Sequence, residues 1–475
     1  MQIRKWDMAQ LSFEGTQAGN PFVDVTVDAL ARCGGRTVEA PGFYDGNGVY
    51  RVRILPDFCG RWQVTLKSND PLLDGQTAEF DCIAAADGVH GPVQVADEYH
   101  FAYADGTPYY ECGTTCYVWN HQEPALREKT LATLKDAPFN KMRMCVFPKH
   151  YRYNANEPAF FPFEGNLKDG FDFTRFNPDC WAQLDVCVTQ LMDLGIEADI
   201  ILFHPYDRWG FAHMDRETED LYLRYCVARL SGYRNVWWSF ANEFDFMRDK
   251  NMTDWDHYGP YVQRLDPVGH LRGIHNGRIY YDHTKPWVTH CSIQSHDFLQ
   301  IPVWHERYHK PICIDECCYE GNIPNTWGNI TAREMVHRFW ESLAYGAYCG
   351  HGETYLNDRD ELWWSKGGEL VGQSPERLKF FLKIFSEMPG DYVPLRPGVV
   401  RPCIGSPSRQ YLYYAGPSQS VGAEFSLPEQ EQYQADIIDT WEMTVTPVPG
   451  VFSGNFLVPM PQKPYLAVRL RRVEA

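Results

Sequence analysis

Two glutamates stand where a reaction would need them. The run Asn235-Val236-Trp237-Trp238-Ser239-Phe240-Ala241 is apolar and strand-like, and it stops on Asn242-Glu243. A second apolar run, "PICIDECC" (311–318), carries Asp315 and Glu316 near its end. Burying polar groups without partners costs roughly a few kcal/mol each, so carboxylates at the ends of buried strands imply a task. Paired carboxylates suit hydrolysis of a glycosidic bond. One acid protonates the leaving oxygen, and the other carboxylate attacks or stabilises the cationic anomeric carbon. A separation of about 5–5.5 Å would retain configuration through a covalent intermediate. Asn242 is placed to hydrogen-bond the sugar 2-hydroxyl, a bond that tightens in the transition state.

The other apolar runs also end in polar groups. Arg143 lies on the second, as a clamp that keeps a carboxylate ionised or as an ordinary salt bridge. His204 and Asp207 follow the third, and His275 with Asn276 the fifth. Gln294 and His296 close the sixth, and His351, Glu353 and Tyr355 the eighth. Glu353 is the rival nucleophile if the strand count slips by one, and otherwise a hydroxyl acceptor. His204, His296 and His351 permit a metal reading, but no HExxH or carboxylate triad accompanies them, and sugar contacts suit them better. Asp245 and Asp315 read as structural, or as supports behind the residues that meet the sugar. Tyr117, Trp119, Trp209, Trp363 and Trp364 are the aromatics expected near the rim. The paired tryptophans fall in "DELWWSKGGELVGQSPERLKFF" (360–381), expected as a loop: a sugar platform, or an apolar cover.

Something must bring these ends together. Eight strand-like runs lie between about 96 and 390: "YYECGTTCY", "NKMRMCVFP", "EADIILFHP", "NVWWSFANE", "HLRGIHN", "WVTHCSIQS", "PICIDECC" and "YCGHGETYL". Stretches of helical patterning separate several of them, such as "CWAQLDVCVTQLMDLG" and "TAREMVHRFWESLAYGA". Eight strands with crossovers in this length predict a (β/α)8 TIM barrel, whose strand C-termini share one rim. A doubly wound sheet is the alternative, but the Gly-rich phosphate turn it would carry is missing. Residues 1–95 read as a β-sandwich of short strands, with Asp-Gly and Asn-Gly hairpin signals in "GFYDGNGVY" (42–50). Residues 393–475 return to β texture as a smaller sandwich. Pro389, Pro394 and Pro397 mark that boundary.

Composition narrows the partners. The 475 residues include 44 basic and 62 acidic side chains, a formal charge of −18. No basic patch stands out, so nucleic acid and anionic membranes are not expected partners. With 15 Trp and 28 Tyr the chain has surface to stack sugar rings. The opening residues lack the apolar core of a leader, and no apolar run is long enough to span a bilayer. The 15 scattered cysteines suit a reducing compartment, without a disulfide framework or zinc spacing. The expectation is a cytoplasmic enzyme without cofactor or metal, acting on a carbohydrate, and a possible homo-oligomer.

Several of these segments resemble a known family. "LSFEGTQAGNPFVDV" and "GFYDGNGVYRVRILPDFCGRW" look like the small immunoglobulin-like domain in front of certain bacterial glycosidases. "GTTCYVW", "KMRMCVFP", "WWSFANEFD", "HLRGIHN", "SIQSHD", "KPICIDECCYEG" and "GHGETY" resemble the apiosidase-like catalytic barrel, related to a clan of retaining glycosidases. The tail resembles the small β-domain that closes such proteins. The resemblance implies Glu243 as acid/base and Glu316 as nucleophile. In some apiosidase-like relatives the strand-four acid is an Asp. The location suggests exo action on short oligosaccharides or small glycosides. The rival readings are a non-catalytic carbohydrate-binding barrel and a lyase or metal-dependent hydrolase on the same fold.

Overall fold

The computed structural model describes residues 1–395 and 402–473. Its centre is a ring of eight parallel strands: β1 (Gly113–Thr115), β2 (Lys141–Cys145), β3 (Glu197–Phe203), β4 (Val236–Ala241), β5 (Arg272–Gly273), β6 (Cys291–Gln294), β7 (Ile312–Glu316) and β8 (Tyr348–His351). The hydrogen-bonded order is β5-β4-β3-β2-β1-β8-β7-β6, and a parallel bridge from His275 to Ser292 closes it. These are the eight runs marked in the sequence. Every residue of β3 and β4 is buried. A barrel strand is covered on both faces, which is why these segments read as continuous apolar runs rather than alternating ones.

The crossovers carry α1 (Pro124–Asp136), α2 (Pro178–Asp193), α3 (Arg216–Leu230), α4 (Met252–Leu265), α5 (Ile301–Tyr308), α6 (Ala332–Ala344), the single turn α7 (Trp363–Lys366) and α8 (Ser374–Ser386). In α2, Asn177 caps the Asp179 N–H and Pro178 opens the helix. Trp181, Leu184, Val188 and Leu191 then bury one stripe at helical spacing. Residues 360–381, expected as a loop, instead supply α7 and the first half of α8. Their apolar residues pack helically: Leu378 and Phe381 are buried.

Residues 2–83 form a seven-stranded sheet around its own core, which includes Ala29, Val52, Trp62 and Phe80. The turn expected at 45–48 joins Arg36–Tyr44 to Val49–Ile54, and Gly46, Asn47 and Gly48 take the positive φ it demands. Charged groups seat this sheet on the barrel. Asp185 of α2 accepts from Arg53 (2.7 and 2.8 Å) and from Arg229 of α3 (3.0 Å). Arg229 also donates to Asp45 (2.7 Å), and both guanidiniums are buried. A three-stranded sheet (Val93–Val95, Phe101–Tyr103, Pro108–Tyr109) spans the boundary expected near 95. It sets the Phe101 ring 5.1 Å from Trp237 and 5.2 Å from Tyr348, plugging the N-terminal end of the barrel.

After α8 come a six-stranded and a two-stranded sheet with a separate core around Tyr413, Ala435 and Val468. They pack on α6 through Tyr414, which meets Trp340 and His337. Pro397 lies outside the described residues. No described helix is long and apolar enough to cross a membrane. All fifteen cysteines are free, and all but Cys59 are buried.

Candidate active site

The C-terminal ends of the strands open into a cleft of about 380 Å³, and Glu243 and Glu316 both line it. Glu243 ends β4 in an unusual way. Its backbone is left-handed (φ 53°, ψ 56°), a conformation that costs a non-glycine residue about 1–3 kcal/mol. Both neighbours hold it there. Asn242 N–H donates to the Phe203 carbonyl (2.9 Å) and Phe244 N–H to that of His275 (3.0 Å). The strand ladder is satisfied on each side while Glu243 itself twists into the cleft.

The two carboxyls sit in opposite environments. Glu243 accepts from the Tyr206 hydroxyl and from Asn242 Nδ2 (3.1 Å). Burial, helped by the nearby Glu316 charge, lifts its pKa to about 7, against the pull of Lys149 and Tyr206. Glu316 accepts from the Tyr117 hydroxyl and from Arg143 Nη1 (2.9 Å), with His275 Nε2 at 3.4 Å. Burial opposes its ionisation, but His275, Arg143 and Tyr117 together hold it well below the ordinary carboxylate range. Burial and the Arg143 charge push His275 itself down, against the pull of Glu316. Asn242 ties the two halves together. Its Oδ1 accepts from Arg143 Nη2 (3.0 Å) and lies 3.1 Å from the Tyr117 hydroxyl.

Beneath this layer the barrel interior is also charged. Lys141 Nζ lies 2.7 Å from both Glu111 and Asp315, and the Ser292 hydroxyl donates to Asp315 at 2.5 Å. Lys141 and Ser292 thus hold Asp315 in the barrel interior, below the cleft. Asp245 accepts from the N–H groups of Gly277, Arg278 and Ile279 and shapes that loop.

The structure sorts the other sequence candidates. Glu243, Glu316, Gln294 and Trp364 line the cleft, and Arg143, Asn242 and His275 stand directly behind it. The rest have other places. His204 is buried between the Phe147 carbonyl and the Tyr206 N–H, and burial lowers its pKa to about 3. Asp207 accepts from three backbone N–H groups of residues 209–212. Trp119 is fully buried. Trp363 is too: its indole donates to Thr114 (2.9 Å), so of the paired tryptophans only Trp364 faces the cleft. His296 is exposed and stands edge-on to Trp327, itself a cleft residue. Asn242, expected at the sugar 2-hydroxyl, has both amide atoms already engaged.

His351, Glu353 and Tyr355 belong to a second cluster. Among the described residues, the metal-ligating types that gather are Glu320, His351 and Glu353, not the three histidines. Their carboxylates are in use. Glu353 accepts from the N–H groups of Val371 and Gly372, and Glu320 from those of Gln373 and Ser374 and from the Tyr355 hydroxyl. Four consecutive donors leading into α8, residues 371–374, are thereby satisfied by two side chains, which also supply the negative charge a helix N-terminus favours.

Several cleft residues escaped the sequence reading. Lys149, Tyr151 and Tyr206 follow β2 and β3, and Tyr319 and Trp327 follow β7. "VFPKHYRY" (146–153) was the available signal, a basic, aromatic-rich segment directly after a strand.

Comparison with known proteins fits this geometry. A model described as "Apiosidase-like, catalytic domain" matches residues 96–363, over half of the chain. The chain belongs to the apiosidase-like family. Two domains of unknown function, DUF5060 and DUF5605, match residues 2–69 and 400–471 on either side. A candidate glycoside hydrolase from Bacteroides vulgatus ATCC 8482 has 36% identity and a TM-score of 0.94, over 99% of this chain and 100% of that one. A glycoside hydrolase family 5 structure from the same organism aligns with a TM-score of 0.64 at 15% identity, over 80% of this chain and 93% of that one. No curated protein matches. The apiosidase-like barrel thus has the fold of glycoside hydrolases.

Proposed function

We propose that this apiosidase-like protein is a retaining glycoside hydrolase, exo-acting on short oligosaccharides or small glycosides. Glu316 attacks the anomeric carbon while Glu243 gives its proton to the leaving oxygen. Water then hydrolyses the glycosyl-enzyme, with Glu243 taking the water's proton. One observation carries the reading: two glutamates in one cleft whose surroundings push their pKa values apart. Arg143 and Tyr117 keep the nucleophile charged. Burial keeps the acid protonated near neutral pH.

The test is a screen of aryl furanosides and pyranosides of both anomers, followed by NMR of the first-formed product. Retention of configuration is expected, with turnover lost in Glu316→Ala while binding persists. Inversion would refute the covalent route. Wild type that binds sugars but turns over none of these glycosides would make the barrel a carbohydrate-binding module.

A further inference from the structure

Lys149 lines the cleft, and neither half of the proposed mechanism gives it a proton to move or a bond to make. It is 2% exposed. Its ammonium sits among aromatic rings, 3.3 Å from the centroid of Tyr117, 4.2 Å from Tyr206 and 4.9 Å from Tyr151. Among the described residues, Nζ has neither an ion pair nor a hydrogen-bond acceptor. Its three donors are therefore free to face the space a ligand would fill. Cation–π contacts with the tyrosines offset part of the cost of its burial and leave the N–H groups available. Burial weakens its hold on the proton, and no carboxylate approaches closely enough to restore it fully. Other buried cations of the barrel have acceptors: Lys141 has Glu111 and Asp315, Arg229 has Asp45 and Asp185, and Arg272 has the Trp287 and His270 carbonyls.

A second cation lines the same cleft. Arg278 is exposed on the loop that Asp245 shapes, its guanidinium 5.8 Å from the Phe246 ring centroid. Among the described residues it too has no ion pair. The charge balance then has a sign. With Glu243 protonated and Glu316 paired with Arg143, no carboxylate among the described residues pairs directly with the side chain of Lys149 or Arg278. A strongly acidic chain, with a formal charge of −18, has kept two free cations at one cleft.

Resting on the glycosidase reading above, we infer that the cleft takes a sugar bearing an anionic oxygen group, foremost the carboxylate of a uronic acid, and that Lys149 binds that group. The carboxylate supplies the acceptor the buried ammonium lacks, in a charge-assisted contact stronger than a neutral one. Arg278 draws the anion to the mouth and acts more weakly because water screens it. A neutral sugar would offer Lys149 hydroxyls only and leave its charge unbalanced.

The experiment compares kcat/KM for matched aryl glycosides: glucuronides and galacturonides against glucosides and galactosides, both anomers, with a sulfated sugar as a third arm. Wild type should favour the uronide over its neutral partner by at least about tenfold, the worth of one lost charged contact. In Lys149→Met that ratio should collapse by a factor of ten or more; in Arg278→Met it should fall by less and lose part of its salt dependence. Preference for the sulfated sugar over the uronide would keep the anion site and name sulfate as its source. Preference for neutral glycosides by the wild type would overturn the inference and leave the glycosidase intact. So would a Lys149→Met variant that loses neutral and acidic substrates in equal proportion, since Lys149 would then merely tune the glutamates. If nothing is turned over, thermal shift with free glucuronate and glucose decides. Uronate-selective stabilisation lost in Lys149→Met supports the anion site while the hydrolase reading fails, and its absence in wild type overturns the site.

Discussion

The Arg143 guanidinium reaches from β2 to Glu316 on β7, 2.9 Å away, although β1 and β8 separate these strands in the ring. Its other Nη meets Asn242 on the far side, and Asn242 meets Glu243. One buried cation therefore sets the charge of the proposed nucleophile and the position of the proposed acid. Replacing Arg143 with Met should leave Glu316 buried and unpaired, costing about 3–5 kcal/mol. Chemical denaturation will measure that loss. Stability within 1 kcal/mol of wild type would mean that the ion pair is not what holds Glu316 ionised.

Tyr117→Phe removes a single hydrogen bond from Glu316 and leaves the ring that Lys149 covers. The pKa of Glu316 should rise, so the acid limb of the pH–kcat/KM profile should move to higher pH. A fall in kcat of roughly 10²-fold, about 2.7 kcal/mol, is expected if the hydroxyl supports the carboxylate through the transition state. A drop in kcat with an unmoved acid limb would assign Tyr117 to sugar binding instead.

Glu243 gives the alkaline side. Its proton is held to about pH 7 in the folded protein, against an ordinary value of 4.5. Activity that needs the acid form should decline as pH rises through about 7, and Glu243→Gln should lose that limb. With a poor leaving group the variant should be slower by about 10²–10⁴-fold.

The same group destabilises the fold at high pH. Between 4.5 and 7 the folded state binds the extra proton, so stability falls as pH rises through that window. At pH 8 the buried charge costs on the order of 3 kcal/mol. Glu243→Gln should therefore melt above wild type at pH 8, with the gap closing by pH 5. An equal gap at both values would show that packing, not charge, is responsible.

Asp185→Ala tests the seam between the N-terminal sheet and the barrel. It strips Arg53 and Arg229 of a shared partner and should cost roughly 3–5 kcal/mol. Asp185, Arg53 and Arg229 are not among the cleft's lining residues, so kcat should be unchanged. A variant with normal stability, or one with impaired kcat, would contradict this division of labour.

The strands were legible in the sequence because a barrel buries both faces of each one, and eight apolar runs cannot be hidden. The rim was legible because carboxylates such as Glu243 and Glu316 interrupt those runs. What the sequence could not give was the direction of each side chain past the strand end. His204 and His351 look like Gln294 on paper, yet they turn into the wall, where a backbone carbonyl or the Thr114 hydroxyl meets them. Trp363 and Trp364 are adjacent, and one turn of helix sends the first into the core and the second into the cleft. Lys149 was missed for the opposite reason. A lone lysine in a loop signals nothing until the tyrosines from two other segments close around it.

The guanidinium seam has a practical meaning for anyone dissecting this protein. Cut at residue 96, the catalytic half would expose the Arg229–Asp185 pair to solvent without Arg53 and Asp45, and the Val93–Val95 strand behind the Phe101 plug would go with the discarded piece. The front module is better regarded as masonry of the barrel than as cargo on a tether, and only the full chain is a fair sample for activity measurements.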